Sequence, residues 1–271
     1  MNAMNNKDKK SPINEDDLQT LPGSYLRQKR EDLFEDIMSW FAMVLFAFVL
    51  TILEWFFYMT NTPRSPWVPT LLTIFVSILF YYKYKKYVKN SLNYSQGLNG
   101  EIYVGQILEG LRSKGYVPIH DVPCGQNNKK FNIDHILIGP KGIFSIETKT
   151  WSKSVGEKNI INYHNSHLYK NGIKIGIQSI LQASSNSRWL EKLLFTRTGQ
   201  STKVSPVVVF PGWWIEKTAT TSVQNEYDVL MLNVKVLDSF LDTYPDKFTP
   251  EEINKLITVV SSYVHEEASR E

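Results

Sequence analysis

Two long apolar runs dominate the hydropathy pattern of this 271-residue chain. The first extends from Ile37 to Met59 and is broken by one charge, Glu54; the second, Trp67–Tyr82, carries none. Each approaches the roughly 20 apolar residues that a helix needs to cross a bilayer. The link Thr60–Pro66 contains Pro63, Arg64 and Pro66 and is short enough to force an antiparallel hairpin. The first run starts too far from Met1 for a signal peptide, and no small-residue cleavage site follows it. A buried helix pair of a soluble protein is the alternative, and length and flanks both disfavour it. Glu54 falls near the outer end of the first span, within reach of the headgroups.

Downstream the periodicity changes. Apolar residues at Ile102, Val104, Ile107, Leu108 and Leu111 predict a helix over 100–114, ended by Gly115. A strand is expected at Tyr116–Asp121, a polar loop at Gly125–Lys130 and a second strand at Asn132–Ile138. Gly139-Pro140-Lys141-Gly142 reads as a turn into a third strand, Ile143–Thr148. Residues 151–176 read as smaller strands and turns, with Asn171-Gly172 a hairpin signal. A helix at Ile177–Phe195, strands at Val204–Phe210 and Val229–Leu232, and a closing helix capped by Thr249 complete the order. This predicts an α/β fold with a mixed central sheet flanked by helices, preceded by two transmembrane helices at about 37–59 and 67–82. The expected division is a flexible tail at 1–30, a membrane anchor at 31–92 and a folded domain at 93–271.

Charge refines the picture. Arg27, Lys29 and Arg30 precede the first span, and Lys83, Lys85, Lys86 and Lys89 follow the second; the link holds only Arg64. The positive-inside rule then places both termini and the folded domain in the cytoplasm of a multi-pass inner (plasma) membrane protein. Trp40, Trp55, Trp67, Tyr81 and Tyr82 sit where an aromatic belt would lie. The net charge of +3 divides unevenly. Glu101–Lys203 has 14 Lys and Arg against 7 Asp and Glu, whereas Glu216–Glu271 has 5 against 11. A basic half suits a polyanionic substrate, although a lysine-rich surface alone would read the same way. The single cysteine, Cys124, excludes an intramolecular disulfide and a multi-cysteine zinc site.

The segment Phe131–Trp151 carries the candidate chemistry. A symmetric turn puts Ile138 opposite Ile143, Ile136 opposite Ser145 and Asp134 opposite Glu147. Alternation then places Lys149 on the face of Glu147. The strands are otherwise apolar on both faces, with Ile133, Leu137, Phe144 and Ile146 expected on one and Ile136, Ile138 and Ile143 on the other. Two facing acids in such a ribbon repel and need compensation. A divalent cation would supply it, because Mg²⁺ favours one or two carboxylates with waters and phosphate oxygens. Lys149 would then position water or stabilise transition-state charge. The plainer alternative is a structural Glu147–Lys149 ion pair at a strand end.

Asp, a short hairpin and Glu-x-Lys together resemble the PD-(D/E)XK nuclease superfamily. More narrowly, residues 97–211 resemble the NERD, or nuclease-related, domain. Gly97-Leu98-Asn99-Gly100-Glu101 resembles its opening motif, and Ile133-Asp134-His135 its Ile-Asp-His. Gly139–Phe144 matches its Gly-Pro-x-Gly turn, Ile146–Lys149 its Glu-x-Lys strand, and Val207–Pro211 its later core strand. The resemblance implies a restriction-endonuclease-like fold and an Mg²⁺-dependent nuclease, with Mn²⁺ as the alternative metal. It implies that Asp134 and Glu147 bind the metal, that Lys149 is the catalytic lysine, and that Glu101 is an accessory acid near the metal. Glu101 also reads as a favourable charge at a helix N-terminus. Gln182 corresponds to the glutamine that opens the family's second helix. The usual Asn-Pro before it is replaced by Gln178 and Ser179, so Gln178 and Gln182, one turn apart, both remain candidates.

Other residues carry less. Alternation turns His135 to the opposite face from Asp134, as a packing or hydrogen-bonded histidine. His164 and His167 lack partners for zinc. Trp213-Trp214 suits base stacking, core packing or a membrane contact. Lys129, Lys130, Lys153 and Lys158 flank the motif strands, either as phosphate contacts or as solvated lysines. The expected partners are nucleic acid, DNA before RNA, and the lipid bilayer. A catalytically silent nucleic-acid-binding module and a membrane scaffold or protein-interaction domain are the rival functions.

Overall fold

The computed structural model describes residues 22–60, 62–63, 65–126, 129–153, 159–164, 167–216 and 227–269. The chain forms two compact units, Tyr25–Gln96 and the remainder. Arg64 and Lys158, and the side chains of Lys129 and Lys130, lie outside what is described.

The first unit is a helical hairpin. Helix α1, Ser24–Met59, begins before the expected tail boundary at residue 30. Helix α2, Trp67–Gly110, runs without a break from the second apolar stretch into the folded domain. Residues 83–99 were expected to separate two helices. They contain no proline, and neither their one glycine, Gly97, nor the following Gly100 ends the helix. Within the hairpin, Thr51 and Thr73 hydroxyls meet at 2.8 Å, and the Trp55 indole donates to Thr70 Oγ1 at 3.1 Å. Phe41 and Phe80 pack at 6.2 Å between ring centroids. Both helices are long and apolar enough to cross a membrane, and only 6% and 0% of their most apolar windows are buried within the chain. A soluble core pair would bury most of that surface.

The second unit is a mixed α/β domain. After α2 a 3-10 turn, Leu111–Lys114, ends at Gly115 in the left-handed region. Strands β1 (Val117–Gln126), β2 (Lys129–Gly139) and β3 (Gly142–Thr148) form an antiparallel meander. Beyond them lie β4 (Ile160–His164), β5 (His167–Lys170), β6 (Ile173–Ile175) and helix α3 (Gln178–Thr198). Then come β7 (Val204–Val209), β8 (Trp214–Glu216), β9 (Leu230–Leu232), the short α4 (Leu237–Leu241) and α5 (Pro250–Ala268). The main sheet has the order β1-β2-β3-β7-β9, with β3, β7 and β9 parallel. A second sheet, β6-β5-β4-β8, joins the small strands expected within 151–176 to the later β8. Asn171 and Gly172 both have positive φ, 49° and 78°, as a tight hairpin turn requires.

Both faces of the main sheet are covered, so every residue of β3 is buried. On one face α3 and α5 place Leu190, Leu194, Leu256 and Val260 against Ile136, Ile138 and Ile143. On the other, Val104 and Leu108 of α2 pack with Leu137, Phe144, Ile146 and Val207. The register is the one expected, Ile138 opposite Ile143 and Ile136 opposite Ser145. One facial assignment differs. Ile133 joins the Ile136 cluster and not that of Leu137. The simple alternation breaks at the level of Asp121 and Asp134, where Asp121 takes a φ of 51°. Thr249 closes the fold as expected: its hydroxyl accepts from Glu252 N–H at 3.3 Å, and Glu252 Oε2 accepts from Thr249 N–H at 2.8 Å.

Candidate active site

Strand β2 brings Asp134 to the end of the β2–β3 ladder, whose paired residues stop at His135 and Ile146. In place of the next ladder bond, Asp134 Oδ2 accepts from the Thr148 N–H at 2.7 Å. Glu147 lies on β3 and Lys149 just past it. Lys149 Nζ donates to Glu147 Oε1 at 2.6 Å and to Gln182 Oε1 at 3.2 Å. Helix α3 also contributes Asn186, whose amide donates to Glu147 Oε2 at 3.2 Å. Gln182 therefore faces this group, whereas Gln178 is exposed. Sequence reasoning missed Asn186. It stands one turn beyond Gln182, and that i, i+4 spacing was the available signal.

Glu101 arrives on α2 from the opposite side of the sheet. Its approach depends on Gly100, because a Cβ there would overlap the Thr150 side chain. Glu101 Oε2 is buried and has no hydrogen-bond partner among the described residues. A fourth acid, Asp121, went unnoticed in the sequence. It accepts from Asn132 Nδ2 at 2.6 Å and from the Ser24 hydroxyl at 2.6 Å. Ser24 was expected in a free tail, and this bond ties it to the folded unit.

Burial raises all three carboxylates. Burial first, then the charges of Glu147 and Glu101, pushes Asp134 well above its ordinary range, against the pull of the Thr148 N–H. Burial raises Glu101 to about 8, with Asp121 and Glu147 adding to the shift and Lys149 opposing it. Glu147 is raised by burial in spite of Lys149 and Asn186. Burial works against the Lys149 ammonium, yet Glu147, Asp134 and Glu101 outweigh it and hold its pKa above normal. Three mutually repelling acids beside one fixed cation form a group that a further positive charge would stabilise.

Residues 96–211 match the family model of NERD, the nuclease-related domain. The match implies a nuclease-related function and takes in Glu101, Asp134, Glu147, Lys149, Gln182 and Asn186. No curated protein and no solved structure gives a match. Within the NERD segment, His135 is fully buried, its Nδ1 2.8 Å from Nδ1 of His120, whose Nε2 lies 3.1 Å from Glu109. Burial lowers the pKa of both histidines, with His120 adding to the effect on His135. His135 is thus a packed, hydrogen-bonded residue. Among the described residues, no three His, Cys, Asp or Glu side chains are grouped to hold a metal ion. Glu101, Asp134 and Glu147 therefore form no closed cage. An Mg²⁺ site asks for less, since one or two carboxylates suffice when water and phosphate oxygens complete the shell. The buried unpaired oxygen of Glu101 and the raised acids fit such an ion.

Proposed function

We propose that this chain is a membrane-anchored, metal-dependent nuclease that hydrolyses phosphodiester bonds, DNA being the preferred substrate over RNA. The observation that carries the reading is the buried pair Asp134 and Glu147 with Lys149 bonded to Glu147, inside the NERD match. Asp134 and Glu147, with Glu101 behind them, would hold Mg²⁺ or Mn²⁺, which when bound neutralises phosphate charge and acidifies water. Asn186 holds Glu147 in place, and Gln182 holds Lys149. So fixed, the Lys149 ammonium orients the attacking water and stabilises the charge that builds on the phosphoryl oxygens. A solely structural ion pair would not need the second acid, Asp134, buried beside it.

The helical hairpin supplies the anchor. Its lysine-rich flanks support an inner-membrane placement with both termini and the nuclease domain on the cytoplasmic side. Retention in the membrane pellet after alkaline washing checks the anchor, and release into the wash would remove it.

The decisive experiment uses the full chain in detergent micelles with Mg²⁺, on plasmid, single-stranded DNA and RNA. Cleavage is expected from the parent and none from Asp134→Ala or Lys149→Ala. Equal cleavage by all three would remove the enzyme reading. Mg²⁺-dependent binding without cleavage would favour a silent binding module. Absence of both metal and nucleic-acid binding would leave a scaffold.

A further inference from the structure

The parallel strands β3, β7 and β9 end side by side. Lys149 follows β3, Gly212 follows β7 and Asn233 follows β9. At this carboxyl edge, where open α/β sheets usually bind ligands, lies a cleft of about 470 Å³. Gly212, Trp214, Asn159 and Asn233 are among its walls. That volume falls within the roughly 300–1,000 Å³ of pockets that hold small molecules.

Trp214 is the unusual wall. Its neighbour Trp213 is fully buried and donates from Nε1 to the Trp151 carbonyl at 3.2 Å, but Trp214 remains 69% exposed. Its backbone is nonetheless pinned. The Trp214 N–H donates to the Asn159 carbonyl at 2.9 Å, and its strand pairs with Ile160. Asn233 fastens the same corner by donating to the Trp213 carbonyl at 2.8 Å. The indole is thus presented on a fixed backbone. Lys153 Nζ lies over Gly212, which takes a φ of 78°.

We propose that this cleft is a nucleobase subsite, in which an unpaired base of a single-stranded substrate stacks on Trp214 while Lys153 meets the adjoining phosphate. The inference deepens the nuclease reading and rests on it. The ends of β3 and β9 are two strand spacings apart, on the order of 10 Å, so Asn233, in the cleft wall, and Lys149 stand on the same sheet edge. Stacking on an aromatic platform tolerates any base, so the subsite selects for unpaired strand and not for sequence.

The test uses the full chain in detergent micelles with EDTA, so that nothing is cut. Binding of a fluorescent oligothymidylate is compared with that of an equally long strand whose residues lack bases. The parent should prefer the base-bearing strand by roughly 5- to 150-fold. Trp214→Ala should bind both strands equally, and Trp214→Phe should recover much of the preference. Trp214→Ala that keeps the preference, or a parent that has none, overturns the subsite. If that parent still cleaves with Mg²⁺, the nuclease reading survives the loss. If it neither binds nor cleaves, both readings fall together.

Discussion

Lys149 is held by two partners, Glu147 on its own strand and Gln182 on the facing helix. An ammonium held by two partners is already in position before any substrate arrives. Lys149→Ala should therefore lower turnover by about 10²- to 10³-fold, below detection in the plasmid assay, with little change in substrate affinity. Single-turnover rates beside filter-binding constants would separate the two effects. Glu101 gives a second prediction, in pH. Its pKa of about 8 in the folded chain lies above the ordinary 4.5, so the folded state holds a proton that the unfolded state releases. The associated stability is fully present below pH 4.5 and is lost as pH rises through 8. Asp134 and Glu147, also raised, act with the same sign. In EDTA the melting temperature of the parent should fall between pH 5 and pH 9, and Glu101→Gln should flatten that fall. An equally steep profile in the variant would exclude Glu101 as a source.

At the level of elements, close packing of α2 against the end of β3 decides where Glu101 can stand. Gly100→Ala should cost both stability and cleavage, because its methyl would overlap Thr150. Gly110→Ala on the same helix meets nothing and should stabilise by about 0.4–1 kcal/mol. Urea titrations of the pair would show opposite signs. At the other end of the domain, Thr249→Ala removes the capping box of α5 and should cost about 1 kcal/mol. The same scale shows what could be read from the chain. The β2–β3 register was legible, since a Gly139–Gly142 turn and an apolar ribbon leave one symmetrical pairing. Asn186 and Asp121 were not, because each depends on a distant segment: α3 returning to β3, and Ser24 reaching β1. The shift of Ile133 to the other face was hidden for a different reason. An aspartate in the left-handed region has a local signature too weak to distinguish from an ordinary strand residue. The continuity of α2 through Lys83–Asn99 was missed because that stretch lacks an apolar stripe, yet nothing in it stops a helix.

Across the whole molecule, the basic balance of Glu101–Lys203 sets the terms for meeting a polyanion. Nucleic-acid affinity should fall between 50 and 200 mM salt by roughly tenfold for each two phosphates contacted. Fluorescence anisotropy of a labelled strand across that range would measure the slope, and a flat response would deny any phosphate contact. The arrangement of the site along the chain has a further consequence. Glu147 and Lys149 are tied to Asn186 and Gln182, while Thr150–Ile177 leaves and returns between them to build β4, β5 and β6. The candidate site is thus clamped at both ends of an excursion that contributes none of its four bonded groups. Exchanging that excursion between homologous chains offers a route to altered ligand choice with the site residues left in register.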